Sequence, residues 1–541
     1  MDIQVSQDIV QTKEQEEASY ADAISKRQVA FIKFFVLNSW KGLFVFSSLQ
    51  LFFFHDEANT FAVFCILLNW IILTKYILKP INFNYYPLST FLVLGFSLTQ
   101  FYFPLVFTLL EGNPVVNNLL LPFDVFTHLI LEFLVLITSY SLYKVVLGNP
   151  GLRKRSILRR LGMFSPRTEK QIWVIGFIGL FASIFTHLFG GGDVISKFIV
   201  GFVPFMYAPF LIPLSILFGV RYVKSKTLTI QIAIYTVAVF ILGIIGNSRG
   251  ALLFGFTALG FSYFLGMFMG ITQFKIFNSR NIIIGAMAFW FVTGPLSDLS
   301  IAMVVVRAQR TEISASELIN QTLVAFQDKE RLKEYKLEAN KAQKIEKWDE
   351  SYIDNIFLSR FCNLKYNDNA LHDASELSDE NKIVFRNLQI DMLVSTLPTP
   401  FLTALKIKVD KKTANASSIG DVLFSLTGGD EDSLGSFRTS SFSGTAMAAF
   451  GWWYLALLGI GMAPVFFLFD KLFIRVRIPG IFPGQSPRFE SHISLCALII
   501  ITSIFQFLPV QGVLDIFSYV IRGWTQIVLL YFVVYRIARL F

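Results

Sequence analysis

The stretch VISKFIVGFVPFMYAPFLIPLSILFGV (194–220), followed at once by RYVKSK (221–226), decides the fold class of this chain. The first part carries a single charge, Lys197, in a run longer than the roughly 20 apolar residues that cross a hydrocarbon core. The second part places Arg221, Lys224 and Lys226 directly at its end, as the positive-inside rule requires of a cytoplasmic boundary. Apolar run, then basic cap, is the signature of a membrane helix.

Read outward, the pattern repeats. Further apolar runs lie at 36–54, 60–78, 87–110, 125–146 and 172–189 before it, and at 229–245, 251–269, 282–306, 446–469, 493–510 and 514–535 after it. The first is the weakest, because Asn38 and Lys41 interrupt it. Composition agrees. Of 541 residues 54% are hydrophobic and 16% charged, and 59 are Phe. A water-soluble fold of this size needs more charge to cover its surface, whereas lipid tolerates the aromatic excess. The net charge of +9 does not indicate a nucleic-acid partner, since the positive residues sit in short segments between apolar runs. Three cysteines, Cys65, Cys362 and Cys496, provide neither a disulfide framework nor a C-x-x-C metal signature. The first twenty residues are polar and acidic (Glu14, Glu16, Glu17), unlike a cleavable signal peptide, so the first span is expected to target the chain.

Charge orients the runs. Lys26, Arg27 and Lys33 precede the first. Lys75 and Lys79 follow the second, and Lys144 to Lys170 follow the fourth. Lys275 and Arg280 follow the eighth, Lys471 to Arg488 the tenth, and Arg536 and Arg539 the last. The intervening connections at His55–Asp56–Glu57 and 111–124 have no Lys or Arg. Every second connection is basic. This predicts about twelve transmembrane helices in an all-α polytopic membrane protein, with both termini cytoplasmic. The expected organisation is a cytoplasmic tail (1–33), a first transmembrane region of about nine helices (34–306), one large extracytoplasmic loop domain (307–445) and a second region of about three helices (446–541). The loop is too long for an ordinary connection and must have structure of its own. Within it 314–327 has helical spacing, 328–350 reads as a solvated mixed-charge face, and 383–407 is apolar enough to lie on or dip into the membrane.

Basic residues that break the charge rule need a reason. Arg249 lies in Gly246-Asn247-Ser248-Arg249-Gly250, a tight connection between two apolar runs. Two readings stand: it snorkels to outer headgroups, or it binds an anion at the start of the following helix, where glycines admit a ligand and guanidinium forks onto phosphate. Arg307 and Arg310 leave the ninth run on the same side, spaced i,i+3, and Arg438 precedes the tenth. Asp298, earlier in the ninth run, either pairs with an arginine or serves a site as a base. Asp430, Glu431 and Asp432 are further candidate bases. His128 and Glu132, one turn apart in the fourth run, read as interfacial or bundle residues. Arginines near one membrane face suit a phosphate-bearing lipid and not a metal site; no H-E-x-x-H, Walker, Rossmann or nucleophile-elbow motif is present.

The run Gly246-Asn247-Ser248-Arg249-Gly250-Ala251-Leu252-Leu253 resembles the Ser-Arg-Gly step of the bacterial polysaccharide repeat-unit polymerases, the Wzy-like O-antigen polymerase group. Ser443-Gly444-Thr445-Ala446-Met447-Ala448-Ala449-Phe450-Gly451-Trp452-Trp453 resembles the small-residue run ending in Phe-Gly that opens the span after the large loop in that group. The resemblance covers most of the chain in layout; the N-terminal extension and the large loop are longer than the family pattern.

The resemblance implies a GT-C-like fold in the cytoplasmic (inner) membrane. It also implies transfer of a growing glycan from undecaprenyl diphosphate onto a second lipid-linked unit at the outer face. Donor, acceptor and membrane lipids would be the partners, with a chain-length regulator beside them; no cofactor and no metal is expected. Arg249 would hold the diphosphate, with Arg307, Arg310 and Arg438 added by position, and Asp298, Glu431 and Asp432 would be candidate catalytic groups. Charge develops on the leaving diphosphate, so preplaced arginines stabilise the transition state most. An O-antigen ligase fits a similar layout. A lipid-linked sugar transporter would instead show charges deep in the spans and two related halves. A sensor or scaffold would explain the loop but not the arginines.

Overall fold

The computed structural model describes the chain apart from residues 1, 149–155, 190–193, 221, 223–224, 247–248, 274–278, 307–314, 336–347, 412–416, 430–433, 436–437, 479–487 and 509–511. Ten helices among the described residues are long and apolar enough to cross a membrane. The first belongs to one helix, Asp2–Phe53, which runs through Asn38 because the Asn38 amide donates to the Phe34 carbonyl at 2.8 Å. An almost entirely helical polytopic architecture follows. The run 251–269 forms the helix Arg249–Phe268, 20 residues long. One run departs from the expected helices. The run 493–510 is not one helix. It begins at the end of a strand, Arg488–Ile493, and continues as two short helices, Leu495–Ile499 and Ile501–Phe505.

That strand pairs antiparallel with Phe473–Ile478, so the connection after the tenth run is a small hairpin. The quoted stretch 194–220 also departs from a plain α-helix. Val203–Phe218 is 3-10 helix, with Pro209 and Pro213 inside it. Proline has no N–H to give and clashes with the carbonyl four residues back, so the segment cannot hold an α ladder. At about 2.0 Å per residue the tighter helix still reaches roughly 32 Å. Tyr235 steadies it, its hydroxyl lying 3.0 and 2.8 Å from the carbonyls of Gly176 and Met206.

The segments that the charge rule sets on one side do gather on one face. Gln28 reaches the carbonyls of Pro80 and Phe268. Lys144 donates to Asn82 at 2.7 Å, Arg475 to the Asn84 carbonyl at 3.2 Å and Ser494 to the Met163 carbonyl at 3.2 Å. The Arg167 guanidinium lies 3.6 Å over the Tyr535 ring. On the opposite face sits the domain formed by the large loop.

That domain does not rest on top of the bundle; part of it is inserted. Phe361 meets Phe103 and Phe261, each at 6.2 Å between ring centres. By helical rise, Phe261 lies about 18 Å along its helix from Arg249. Asn367 donates to Gln100 at 3.2 Å, near the middle of the third span. Cys362 is buried. Gln506 reaches the Arg360 carbonyl at 3.2 Å, so the broken segment 495–506 ends where the inserted loop begins. About 16 Å of helix is enough there, because the loop fills the remaining depth. The apolar stretch 383–407, expected at the membrane, forms the helices Asp379–Ser395 and Thr399–Ala404 and keeps Ile383, Val384, Phe401 and Leu405 exposed.

Candidate functional site

The domain is tied down by a turn at 111–121 and a buried ion pair. The Asp368 carboxylate accepts the backbone N–H groups of Leu120 at 2.8 Å and Leu121 at 2.7 Å. Lys365, only 3% exposed, pairs with Asp368 at 2.8 Å and donates to the Asn118 carbonyl at 2.6 Å. Tyr352 donates to the Val115 carbonyl at 2.7 Å. Burial tends to raise the Asp349 pKa, but hydrogen bonds from Ser351 and Asn118 and the Lys365 charge bring it below the ordinary carboxylate value.

Small residues let the domain approach the next membrane helix. Phe442–Phe450 crosses Leu364–Glu376 at backbone contact: a Cβ on Gly444 would lie 2.2 Å from the carbonyl carbon of Ala370. The small-residue run noted in the sequence therefore has a packing cause. Asp379–Ser395 packs on the same helix, and Gln389 donates to the Thr445 carbonyl at 3.0 Å.

Between these elements and the start of Pro122–Val146 lies a cleft of about 500 Å³. Its polar lining is Asp124, His128, Ser375, Lys382 and Arg386; Trp452, Met447 and Phe450 supply apolar walls. Lys382 and Arg386 are spaced i,i+4 on one helix face. Lys382 also pairs with Asp379 at 3.1 Å. The Trp452 ring stacks on the His128 imidazole at 4.7 Å, with planes 4° apart. Behind the imidazole runs a chain of buried polar groups. His128 Nδ1 lies 2.7 Å from the Tyr454 hydroxyl, which donates to Glu132 at 3.2 Å. Ser443 also hydrogen-bonds Glu132. Ser443 reaches Asn367 at 3.4 Å, and Asn367 reaches Gln100. Two cations, a carboxylate, an imidazole and an indole around one opening can hold an anionic, partly apolar ligand and accept a proton from it.

The residues singled out from sequence are distributed differently. Asp298 pairs with Lys329 at 2.8 Å and does not line the cleft. Arg438 stacks over Phe424 at 4.4 Å, its N–H held by Asp421 at 2.8 Å and its carbonyl by the Ser418 hydroxyl at 3.0 Å. It lies outside the cleft, near Asp373, whose carboxyl burial pushes up to about 6 while His372 and Arg438 pull it down. Arg249 is the first residue of the helix Arg249–Phe268. Arg307, Arg310, Asp430, Glu431 and Asp432 lie outside the described residues. Lys382, Arg386 and Tyr454 belong to no motif in the sequence, whereas Trp452 lies at the end of the run Phe450-Gly451-Trp452-Trp453. The i,i+4 cation pair and the Trp-Trp-x dyad after Phe450-Gly451 were the available signals. His128 and Glu132 are legible as neighbours one turn apart, but not the tyrosine that joins them. Comparison with protein-family models, curated proteins and solved structures gives no match for this chain.

Proposed function

We propose that the chain is a membrane glycosyltransferase. In this reading it polymerises undecaprenyl-diphosphate-linked oligosaccharide repeat units on the outer face of the cytoplasmic membrane, the side of the large loop domain. The observation that carries the reading is the cleft at the junction of membrane helices and loop domain, with Lys382 and Arg386 on one wall and Trp452 on another. A lipid-linked sugar presents its diphosphate at the headgroup level, where cations meet it, while an indole face packs on a pyranose. The Ser-Arg-Gly step at Arg249 and the Phe-Gly run at 450–451 support the same reading through their likeness to the repeat-unit polymerases.

Both substrates of such a transfer carry a diphosphate, so two cationic positions are required. Lys382 and Arg386 supply one, and Arg249 supplies the other. The bond broken is between the donor sugar and its diphosphate, and the charge that appears on the leaving group is stabilised by cations already in place.

The test is the surface polysaccharide of cells carrying R249A, the double variant K382A/R386A or a deletion, with protein abundance followed alongside. Long chains should disappear while single repeat units still reach the surface. Unchanged chain length in the deletion strain overturns the reading. Loss of all surface glycan, with lipid-linked polymer accumulating, assigns the protein to ligation instead.

A further inference from the structure

We infer that His128 is the general base of the proposed transfer and that Glu132, acting through Tyr454, is the positioning residue that sets its tautomer. The inference rests on the glycosyltransferase reading and adds the proton path to it.

The argument is one of counting protons. Tyr454 has a single hydroxyl proton to share between Glu132 at 3.2 Å and His128 at 2.7 Å. In the proposed arrangement Glu132 is ionised and takes that proton, so the bond to the imidazole is made by a proton on Nδ1. That leaves Nε2 with its lone pair, as the ring's remaining polar atom, on a residue that lines the cleft. Trp452, parallel to the imidazole, fixes the ring plane. Glu132 is 3% exposed and Tyr454 is fully buried, so the carboxylate acts in a water-poor setting where its charge is felt through the hydroxyl. No cation is paired with Glu132 among the described residues, and its recorded partners are two hydroxyls. A carboxylate kept there without a counter-ion becomes worthwhile when a positive charge forms two hydrogen bonds away, on His128.

The step balances as follows. The acceptor O–H breaks and its proton moves to His128 Nε2, while the acceptor oxygen bonds to the anomeric carbon of the donor. The bond from that carbon to the diphosphate breaks, and its electron pair leaves on the diphosphate beside Lys382 and Arg386. The imidazolium then returns its proton to solvent or to the released diphosphate.

The ionisable groups facing the imidazole are Asp124 and Glu132 from its own helix and Tyr454 from the helix Tyr454–Asp470. Lys382 and Arg386 face it from across the cleft. The experiment uses full-length protein in nanodiscs and lipid-linked repeat units extracted from the deletion strain, with chain elongation followed against pH. Wild-type turnover should rise with pH through one ionisation. H128Q should lose about 10²–10⁴-fold and flatten the profile. E132Q should lose activity on a similar scale with the imidazole still present: the amide can donate to Tyr454, which then donates to Nδ1 and leaves Nε2 protonated. Y454F should fall with it. Thermal midpoints of E132Q and Y454F within a few degrees of wild type separate this from unfolding.

If wild type elongates and H128Q, or both E132Q and Y454F, keep its rate and pH profile, the inference is overturned and the glycosyltransferase reading stands. If wild type does not elongate these units, the reading itself fails and the inference with it.

Discussion

Two buried carboxylates, one on each face of the bundle, are built in opposite ways. Asp470, on the basic face, is saturated. It accepts the N–H of Leu88 at 3.1 Å and of Ser89 at 3.2 Å, the Ser89 hydroxyl, and the Tyr143 hydroxyl at 3.0 Å. These groups open the helix Pro87–Ser97, so the negative charge also meets the positive end of a helix. Glu132, toward the loop domain, holds hydroxyls only, and the line of bonds from it ends on an imidazole at a cleft. A closed set of partners fixes structure, whereas one that ends at a cleft leaves a proton acceptor for chemistry. The contrast separates an acid closed off by its partners from one whose bonds lead to a cleft, although both sequences read alike as an acid in or beside an apolar run.

The contrast can be broken by mutation. D470A should be the most damaging change, leaving two N–H groups and two hydroxyls unpaired in the interior. A loss of about 3–5 kcal/mol is expected, read as low abundance and a lowered midpoint in detergent. E132A should lower the midpoint by clearly less, because it leaves two hydroxyls but no backbone N–H without an acceptor; an equal loss for both would erase the distinction.

The crossing of Pro87–Ser97 with the broken segment 495–506 comes next. A Cβ on Gly95 would lie 1.9 Å from the Phe505 carbonyl oxygen, with backbone on both sides. G95A should therefore cost about 1–3 kcal/mol, measured by thermal scanning. Third is Asp373, whose folded pKa of about 6 is above the ordinary carboxylate value through burial. The folded carboxyl holds its proton more tightly than the unfolded one. Its contribution is thus full below about pH 4 and is lost as pH rises through about 6. D373N should remove that slope of stability with pH and gain about 2–3 kcal/mol at neutral pH. The smallest effect belongs to the Asp298–Lys329 pair, whose side chains are 34% and 56% exposed. D298N should change stability by less than about 1 kcal/mol, and elongation unaltered by it would remove Asp298 from the candidate bases.

The membrane segments were legible because each rests on a long apolar run, and the gathering of basic connections on one face followed from their charges. What stayed hidden has physical causes. The hairpin strands FIRVRI (473–478) and RFESHI (488–493) alternate with period two, but the basic residues among them read as an ordinary connection. The insertion of 355–367 rests on Phe357 and Phe361 in the mixed stretch NIFLSRFCNLKYN, which is too short and too broken by polar residues to read as a membrane run. The chain Glu132–Tyr454–His128 joins residues more than 300 positions apart. Local spacing cannot reveal such a link. Ser443 and Gly444 were visible as a motif, yet their roles, one at the carboxylate and one at a helix crossing, appear only in three dimensions.

The depth of the inserted loop also sets an order of biogenesis. The segment 495–506 supplies only about half of a hydrophobic thickness by itself and ends against the Arg360 carbonyl. It has no complete seat until 355–367 has folded into the bundle. The last two membrane segments are then assembled onto a finished domain rather than inserted independently. The seat of 495–506 thus depends on a segment that lies more than 120 residues earlier in the chain.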